Sequence, residues 1–547
     1  TFSENPIKIK LNPASPFKST ATPDPAKGAE NAMVKASNIA LDLSLFCMAF
    51  QPYFALHFAR MLLPYIEPLT LISWAAVFVQ LFLVIGVTLR VMLTRHPPGS
   101  SFAWILITVI LPYFGFILYL LMGERTLGKW HARKLRREMR KRRQIFRHFM
   151  HTDAMAPLQW RGLSRLATRL SRCPLTQQSS LALLNDADET LTRLVKDIDN
   201  ARSCIVMEFY IWDVGGKADD VSAALIRAAR RGVKCYVLVD AIGSSKFLSS
   251  HWAPMFRHEG IRLESALPVS IFSALLSRVD IRLHRKVVVI DQSIGYSGSL
   301  NMADPHFFKK EAKVGQWIDA MVRTKGEIVA SLYYLISFDW KTLSVADDEL
   351  PEFKAKNPPE FDIPDQATVM LVPSGPATND DANQRIILDA IYNARQEVRI
   401  VTPYFVPGEA LALALQNAAV RGVKVLLIVA EKSDSRPVDY ASRRYFEDLL
   451  RAGVKIFLHK KGMLHTKSII IDGEVSLFGT VNMDMRSMHL NYELMLLVFD
   501  HEFNRKIAML NNQYEADSEQ IALAKWYKRP IIERMKEGAC YLISPLL

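Results

Sequence analysis

Two stretches of the chain read alike: IRLHRKVVVID at residues 281–291 and GMLHTKSIIID at residues 462–472. Each holds His-x-Lys-x4-Asp, as His284, Lys286 and Asp291 in the first and His465, Lys467 and Asp472 in the second. The agreement runs on past the aspartate. Gly298, Ser299 and Asn301 follow the first copy, and Gly479, Thr480 and Asn482 the second, with the glycine seven positions after the aspartate both times. Side chains alternate along a strand, so a His and a Lys two apart point to one face. The runs VVVI and SIII between Lys and Asp build the segment into a sheet. One face therefore presents an imidazole beside an ammonium, twice in the chain.

Working outward, the surroundings repeat as well. The first half reads DNARSCIVMEFYIW (199–212) and ALIRAARRGVKCYVLVD (224–240), and the second reads YNARQEVRIVTPYF (392–405) and LALQNAAVRGVKVLLIVA (413–430). In each copy a helix ends in Arg-Gly-Val-Lys and leads into a short apolar strand, the order expected of helices packed on a sheet. The acidic, Pro-rich stretch Ala346 to Gln366 separates the copies. The expected fold is α/β, with two tandem lobes, each a mixed sheet flanked by helices, over residues 156–345 and 367–547.

An anionic phosphodiester is a substrate that needs this arrangement twice. One neutral His attacks phosphorus and holds a covalent intermediate, while a second, protonated His gives its proton to the leaving alkoxide. Lys286 and Lys467, with Ser299, Asn301, Thr480 and Asn482, would stabilise charge on the non-bridging oxygens. This division of labour requires no metal and no cofactor. The five cysteines, Cys47, Cys173, Cys204, Cys235 and Cys540, are scattered without a CxxC or a His at metal spacing, which suits free thiols rather than a zinc site.

Both blocks resemble the HKD motifs of the phospholipase D superfamily, His-x-Lys-x4-Asp followed by Gly-Ser/Thr-x-Asn. The resemblance implies two lobes that face each other across a pseudo-two-fold axis and share one active site. It implies His284 as nucleophile and His465 as general acid and then base, with the reverse assignment left open. Asp291 and Asp472 belong to the motifs, but as salt-bridge partners at strand ends rather than proton carriers. A catalytic His needs a partner to fix its tautomer, and the candidates are Asp319 in GQWIDAM and Glu493 in LNYELML. An ordinary buried ion pair is the alternative for either, since Asn301 to Asp319 is seven residues longer than Asn482 to Glu493. His131, His148, His151 and His459 read as solvated surface positions.

The N-terminal part has another character. Pro68 to Leu89 and Phe102 to Gly123 are each 22 residues without a charge, matching the ~20 residues that cross a bilayer core. They predict a transmembrane hairpin over 67–123. Residues 1–40 read as a polar tail and 41–66 as an interfacial helix, a third span between Leu43 and Ala59 being the alternative. The formal net charge is +13, which could suggest a nucleic-acid partner. Eleven Lys and Arg against one acid, however, lie between Arg125 and Arg147, within a basic juxtamembrane segment over 124–155, and the rest of the chain is left at +3. That distribution argues against a nucleic-acid groove. It fixes orientation by the positive-inside rule, with the lobes in the cytoplasm, and attracts an anionic membrane surface.

The hairpin, the basic stretch, the two lobes, NMDMRS (482–487) and the terminal ISPLL together resemble bacterial cardiolipin synthases of the membrane-anchored kind. That resemblance implies a multi-pass protein of the bacterial inner membrane whose partners are phosphatidylglycerol and cardiolipin. One phosphatidylglycerol would give its phosphatidyl group to another through a phosphohistidine, with release of glycerol. A hydrolytic phospholipase D, another phosphatidyltransferase and a membrane-tethered nuclease are the competing readings. A homo-oligomer is left open.

Overall fold

The computed structural model describes residues 52–94, 98–123, 154–268, 280–346, 349–353, 366–376 and 381–544. The tail at 1–40, most of the basic segment and most of the linker lie outside these residues. The chain divides into two compact units, Thr1–Phe116 and Ile117–Leu547.

In the first unit the backbone from Pro52 to Leu93 is one 42-residue helix, without a break between the expected interfacial helix and the first span. Its segment Ile72–Leu93 has a mean hydropathy of 2.3, and among the described residues this is the one helix long and apolar enough to cross a membrane. The second expected span is split. Pro98–Ile110 and Pro112–Met122 are separate helices of 13 and 11 residues, broken at Leu111. Pro112 has no N–H to continue the helical ladder but suits the first position of a new helix.

In the second unit the expected two-lobe α/β architecture is present. A seven-stranded sheet runs in the spatial order Ser179–Leu184, Met321–Gly326, Ile294–Gly298, Lys286–Ile290, Cys204–Phe209, Lys234–Asp240, Arg262–Ala266. A nine-stranded sheet repeats that order with Val369–Ser374, Glu493–Val498, Val475–Gly479, Ser468–Ile471, Glu397–Thr402, Lys424–Ala430 and Lys455–His459, adding Leu175–Thr176 at one edge and Ser518–Gln520 at the other. In both sheets the last three strands of the shared order pair in parallel and the others antiparallel. The parallel pairs need helical crossovers, and the repeated Arg-Gly-Val-Lys ends the first crossover of each sheet the same way. After the helices Lys217–Arg230 and Gly408–Val420, Gly232 and Gly422 adopt φ of 87° and 91°. Val233 and Val423 then donate back to Ala228 and Ala418 at 3.1 Å, a left-handed glycine closure that frees the chain to enter the next strand.

One boundary differs from the sequence reading. Residues 156–176 were expected in the first lobe, but Leu175 pairs with Met370 at the edge of the second sheet. Trp160 Nε1 also donates to Glu474 at 2.7 Å. The first lobe's own sheet begins at Ser179. A main core of buried aliphatic residues spans the second sheet and part of the first, a second fills the outer layer of the first lobe, and a third seals the seam with Leu238, Leu283, Trp340 and Tyr492.

Candidate active site

The two motifs enter their sheets only at their second half. Lys286 opens the strand Lys286–Ile290, and Ser468, next to Lys467, opens Ser468–Ile471. The residues just before are extended but hydrogen-bond to the opposite lobe. His284 N donates to Tyr492 O at 2.9 Å, and His465 N donates to Ile318 O at 2.8 Å. Tyr492 precedes Glu493 and Ile318 precedes Asp319, so this register sets a carboxylate beside each imidazole.

The pairs are crossed. His284 Nδ1 lies 2.9 Å from the Glu493 carboxylate, and His465 Nδ1 lies 2.6 Å from Asp319 Oδ1. Each histidine of one lobe thus takes its orienting carboxylate from the other, and Nε2 is left for chemistry. The seven-residue difference in spacing is taken up between Ala303 and Gln316, and the two carboxylates end in equivalent places. Ser299 and Thr480 secure them. Ala320 N donates to Ser299 Oγ and Leu494 N to Thr480 Oγ1, both at 3.0 Å, and Thr480 donates to Glu493 at 2.5 Å. The motif glycines permit this approach, because a Cβ at Gly298 would lie 2.4 Å from Ala320 O, and one at Gly479 2.4 Å from Leu494 O.

The lysines complete a buried basic centre. Lys286 Nζ donates to His284 O at 2.7 Å, and Lys467 Nζ to His465 O at 2.6 Å. Burial holds Lys286 down to about 8 against the pull of Glu493 and Asp319, and holds Lys467 well below the ordinary lysine value. Burial likewise pushes both imidazoles down to about 4, with the lysines of both motifs adding to the effect and the carboxylates opposing it. Burial alone would raise the carboxylates. The facing imidazoles and lysines instead keep Glu493 below its usual value and Asp319 at about 2. The site thus sets two ionised carboxylates against two buried lysines and two imidazoles that burial keeps neutral. Asn301 Oδ1 accepts from Ile211 N at 3.3 Å, while buried Asn482 Oδ1 has no partner among the described residues.

Three positions differ from expectation. Asp291 and Asp472 sit at the far ends of their strands and, among the described residues, form no salt bridge. Each accepts three backbone N–H groups: Arg202, Ser203 and Cys204 on Asp291 at 2.7–3.0 Å, and Arg395, Gln396 and Glu397 on Asp472 at 2.8 Å. Each residue turns the chain at positive φ and pins the loop that feeds the neighbouring strand. His459, expected at the surface, is buried under the edge strand and the helix His501–Ala516, with Nδ1 3.3 Å from Tyr514 O. His131, His148 and His151 lie outside the described residues.

Some neighbours of the site went unread in the sequence. Tyr210 stands edge-on to His284 at 5.0 Å between ring centroids, and Trp317 edge-on to His465 at 4.7 Å, giving both imidazoles an apolar wall. Ser487 Oγ donates to Glu493 at 2.8 Å. Lys309 meets Asp434 at 2.7 Å, and Tyr404 donates to the same carboxylate at 2.5 Å, tying the lobes together beside His465. Trp317, two residues from a candidate carboxylate, carried a usable signal; the others carried none. One group elsewhere, Asp188, Asp304 and His306, could offer three ligands to a cation. Asp304 already accepts the backbone N–H groups of Lys217 and His306, and Lys217 Nζ lies 3.2 Å from Asp188.

Residues 194–324 and 387–513 match the family described as cardiolipin synthase, PLD-like domain. The chain belongs to this family. Residues 81–124 match a second family, described as phospholipase D-nuclease N-terminal. Among curated relatives, cardiolipin synthase A of Proteus mirabilis (strain HI4320) is 40% identical over 489 residues, which cover 87% of this chain and 99% of that one. Cardiolipin synthase A of Pectobacterium carotovorum subsp. carotovorum (strain PC1) is 41% identical with the same coverage. Among solved structures, phosphatidylserine synthase of Haemophilus influenzae Rd KW20 superposes with a TM-score of 0.54 at 15% identity, covering 71% of this chain and 100% of that one, a likeness of fold.

Proposed function

We propose that this member of the cardiolipin synthase family transfers a phosphatidyl group from one phosphatidylglycerol to another. The observation that carries the reading is the pair of crossed His–carboxylate contacts around two buried lysines. It provides two differently supported imidazoles and two lysines to meet one anionic phosphodiester. In the first half-reaction His284 Nε2 forms a bond to phosphorus as the bond to glycerol oxygen breaks, and His465 gives its proton to the departing alkoxide. In the second, the glycerol hydroxyl of another phosphatidylglycerol gives its proton to His465 and displaces His284, leaving cardiolipin. Holding two lipids at one site can offset about 7 to 11 kcal/mol of barrier.

Support for this order of roles comes from the carboxylates. Asp319 meets His465 at 2.6 Å, which favours the imidazolium that an acid requires. Glu493 shares its charge among His284, Thr480 and Ser487, so its contact with His284 at 2.9 Å is less exclusive, which suits His284 to the uncharged, attacking role.

The membrane reading extends the same proposal. The helix through Ile72–Leu93 makes one crossing, and the helices Pro98–Ile110 and Pro112–Met122, kinked at Leu111, together make the return. The basic segment after them holds the lobes on the cytoplasmic side of the inner membrane.

The test is to incubate the purified protein with phosphatidylglycerol in mixed micelles and resolve the products by mass. Cardiolipin with released glycerol is expected. Phosphatidic acid without cardiolipin would replace the transferase with a hydrolase, and the absence of any lipid product would refute both.

A further inference from the structure

The helix Ile531–Leu542 packs along Arg436–Ala452 at the end of the second lobe and leaves an apolar face uncovered. Ile531 is 71% exposed, Met535 64% and Leu542 80%, with Ile532 and Ile543 beside them. Single exposed apolar residues are ordinary, but a contiguous row rimmed by one sign of charge marks an interaction surface. Here the rim is arginine. Arg443, Arg444, Arg529 and Arg534 line, with Ile531 and Met535, a cavity of about 330 Å³ between the two helices.

The charge there is incompletely compensated. Of the two acids of the cavity, Glu537 is taken by Arg529, and Glu447 pairs with Arg451 at 2.8 Å and lies 3.9 Å from Arg529. Arg443, Arg444 and Arg534 form no ion pair among the described residues. Arg443 and Arg444 lie instead over the rings of Tyr440 and Tyr541 at 5.8 and 6.0 Å. Lys525 and Lys528 extend the basic character along the same stretch, while Lys536 pairs with Glu533 at 2.8 Å.

We propose that this face is a second membrane contact, in which Ile531, Met535 and Leu542 enter the interface of the bilayer while Arg443, Arg444 and Arg534 take the phosphates of anionic phospholipids. Arginine suits that task because its planar fork matches a phosphate in two bonds, and amphipathic helices with basic rims bind interfaces in this way. The occupant is a lipid leaflet rather than another protein because the face joins cation and hydrocarbon, as anionic headgroups and acyl chains do. The contact also has a consequence for the active site. Asp434, bound to Lys309 and felt by His465, stands just ahead of the helix Arg436–Ala452. Arg443 lies seven residues into that helix, about 11 Å along its axis, so docking would hold the Asp434 end of the helix, beside His465, close to the lipid surface. The inference rests on the proposed membrane setting, but its readout does not involve turnover.

The test uses full-length protein in nanodiscs of phosphatidylcholine, with or without phosphatidylserine, which carries the negative charge without the headgroup of the proposed substrate. Hydrogen exchange of residues 531–542 is followed, with the central strand Ser468–Ile471 as internal reference. Exchange in the helix should slow severalfold when phosphatidylserine is present. Each basic side chain near an anionic surface contributes about fivefold in local partitioning. The triple variant R443Q/R444Q/R534Q should therefore return to the phosphatidylcholine level while the reference strand is unchanged. Ile531→Ser with Met535→Ser should do the same through the apolar half. Equal exchange in both discs would overturn the proposal. So would protection produced in detergent by inorganic phosphate alone, which would mark a small-anion site, or protection that rises with protein concentration, which would mark a contact between copies.

Discussion

Replacing Asp319 by Asn probes the crossed arrangement most directly. His465 is buried and held down to about 4, and the opposing influence is the carboxylate at 2.6 Å. Asparagine keeps the shape and removes the charge, and its amide can donate to Nδ1, fixing the wrong tautomer. Leaving a buried charge unpaired costs about 3 to 5 kcal/mol, and His465 must carry that charge to act as an acid. The expected loss in kcat is therefore between about two and four orders of magnitude. A phosphatidyl diester whose leaving group needs no proton, such as phosphatidyl-p-nitrophenol, separates the roles. With that substrate the first-step burst should recover in Asp319→Asn and in His465→Ala, while His284→Ala should give no burst with either substrate. Recovery in the His284 variant instead would reverse the assignment, and a loss under about threefold in Asp319→Asn would refute the argument that this carboxylate matters to proton transfer.

Other perturbations follow from the same geometry. Lys286 sits at about 8, so its ammonium is lost as pH rises through that value, and kcat/KM should fall on the alkaline side near pH 8. Lys286→Arg, which stays charged, should flatten that limb even if its absolute rate is lower. Asp291→Ala orphans three backbone donors, so the melting midpoint should drop by the equivalent of about 1 to 3 kcal/mol, while kcat per folded molecule stays near wild type; a catalytic loss without a stability loss would restore the aspartate to the chemistry. Gly479→Ala should destabilise by about 1 to 3 kcal/mol through its collision with Leu494 O, read by thermal unfolding, and an unchanged midpoint would mean the strands separate more easily than their packing implies.

The two motifs and the repeat were legible because strand alternation and a shared spacing are local properties. Asp319 and Glu493 could be named from the need of an imidazole for a carboxylate, but not paired: their crossing depends on Ile318 and Tyr492 meeting the opposite lobe's backbone, a long-range register that no local pattern encodes. Asp291 and Asp472 misled because carboxylates at strand ends were expected to meet cations, whereas three converging N–H groups satisfied them. His459 looked solvated among its lysines, yet the edge strand Ser518–Gln520 and the helix before it cover it. Leu175–Thr176 joined the far sheet because an open edge beside Val369–Ser374 was available, which sequence order conceals. The split at Leu111 was the reverse case, since Pro112 stood visible in a run judged by its hydrophobicity alone.

The crossed contacts also order events during synthesis. His284 leaves the ribosome some two hundred residues before Glu493, so in a growing chain the proposed nucleophile has no carboxylate to align it. Until the second sheet has formed and brought Tyr492 against His284, the emerging first lobe lacks the contact that orients this imidazole. On the proposed roles, reactivity waits for completion of the chain, because a molecule ending before the strand Glu493–Val498 lacks the carboxylate that would align His284.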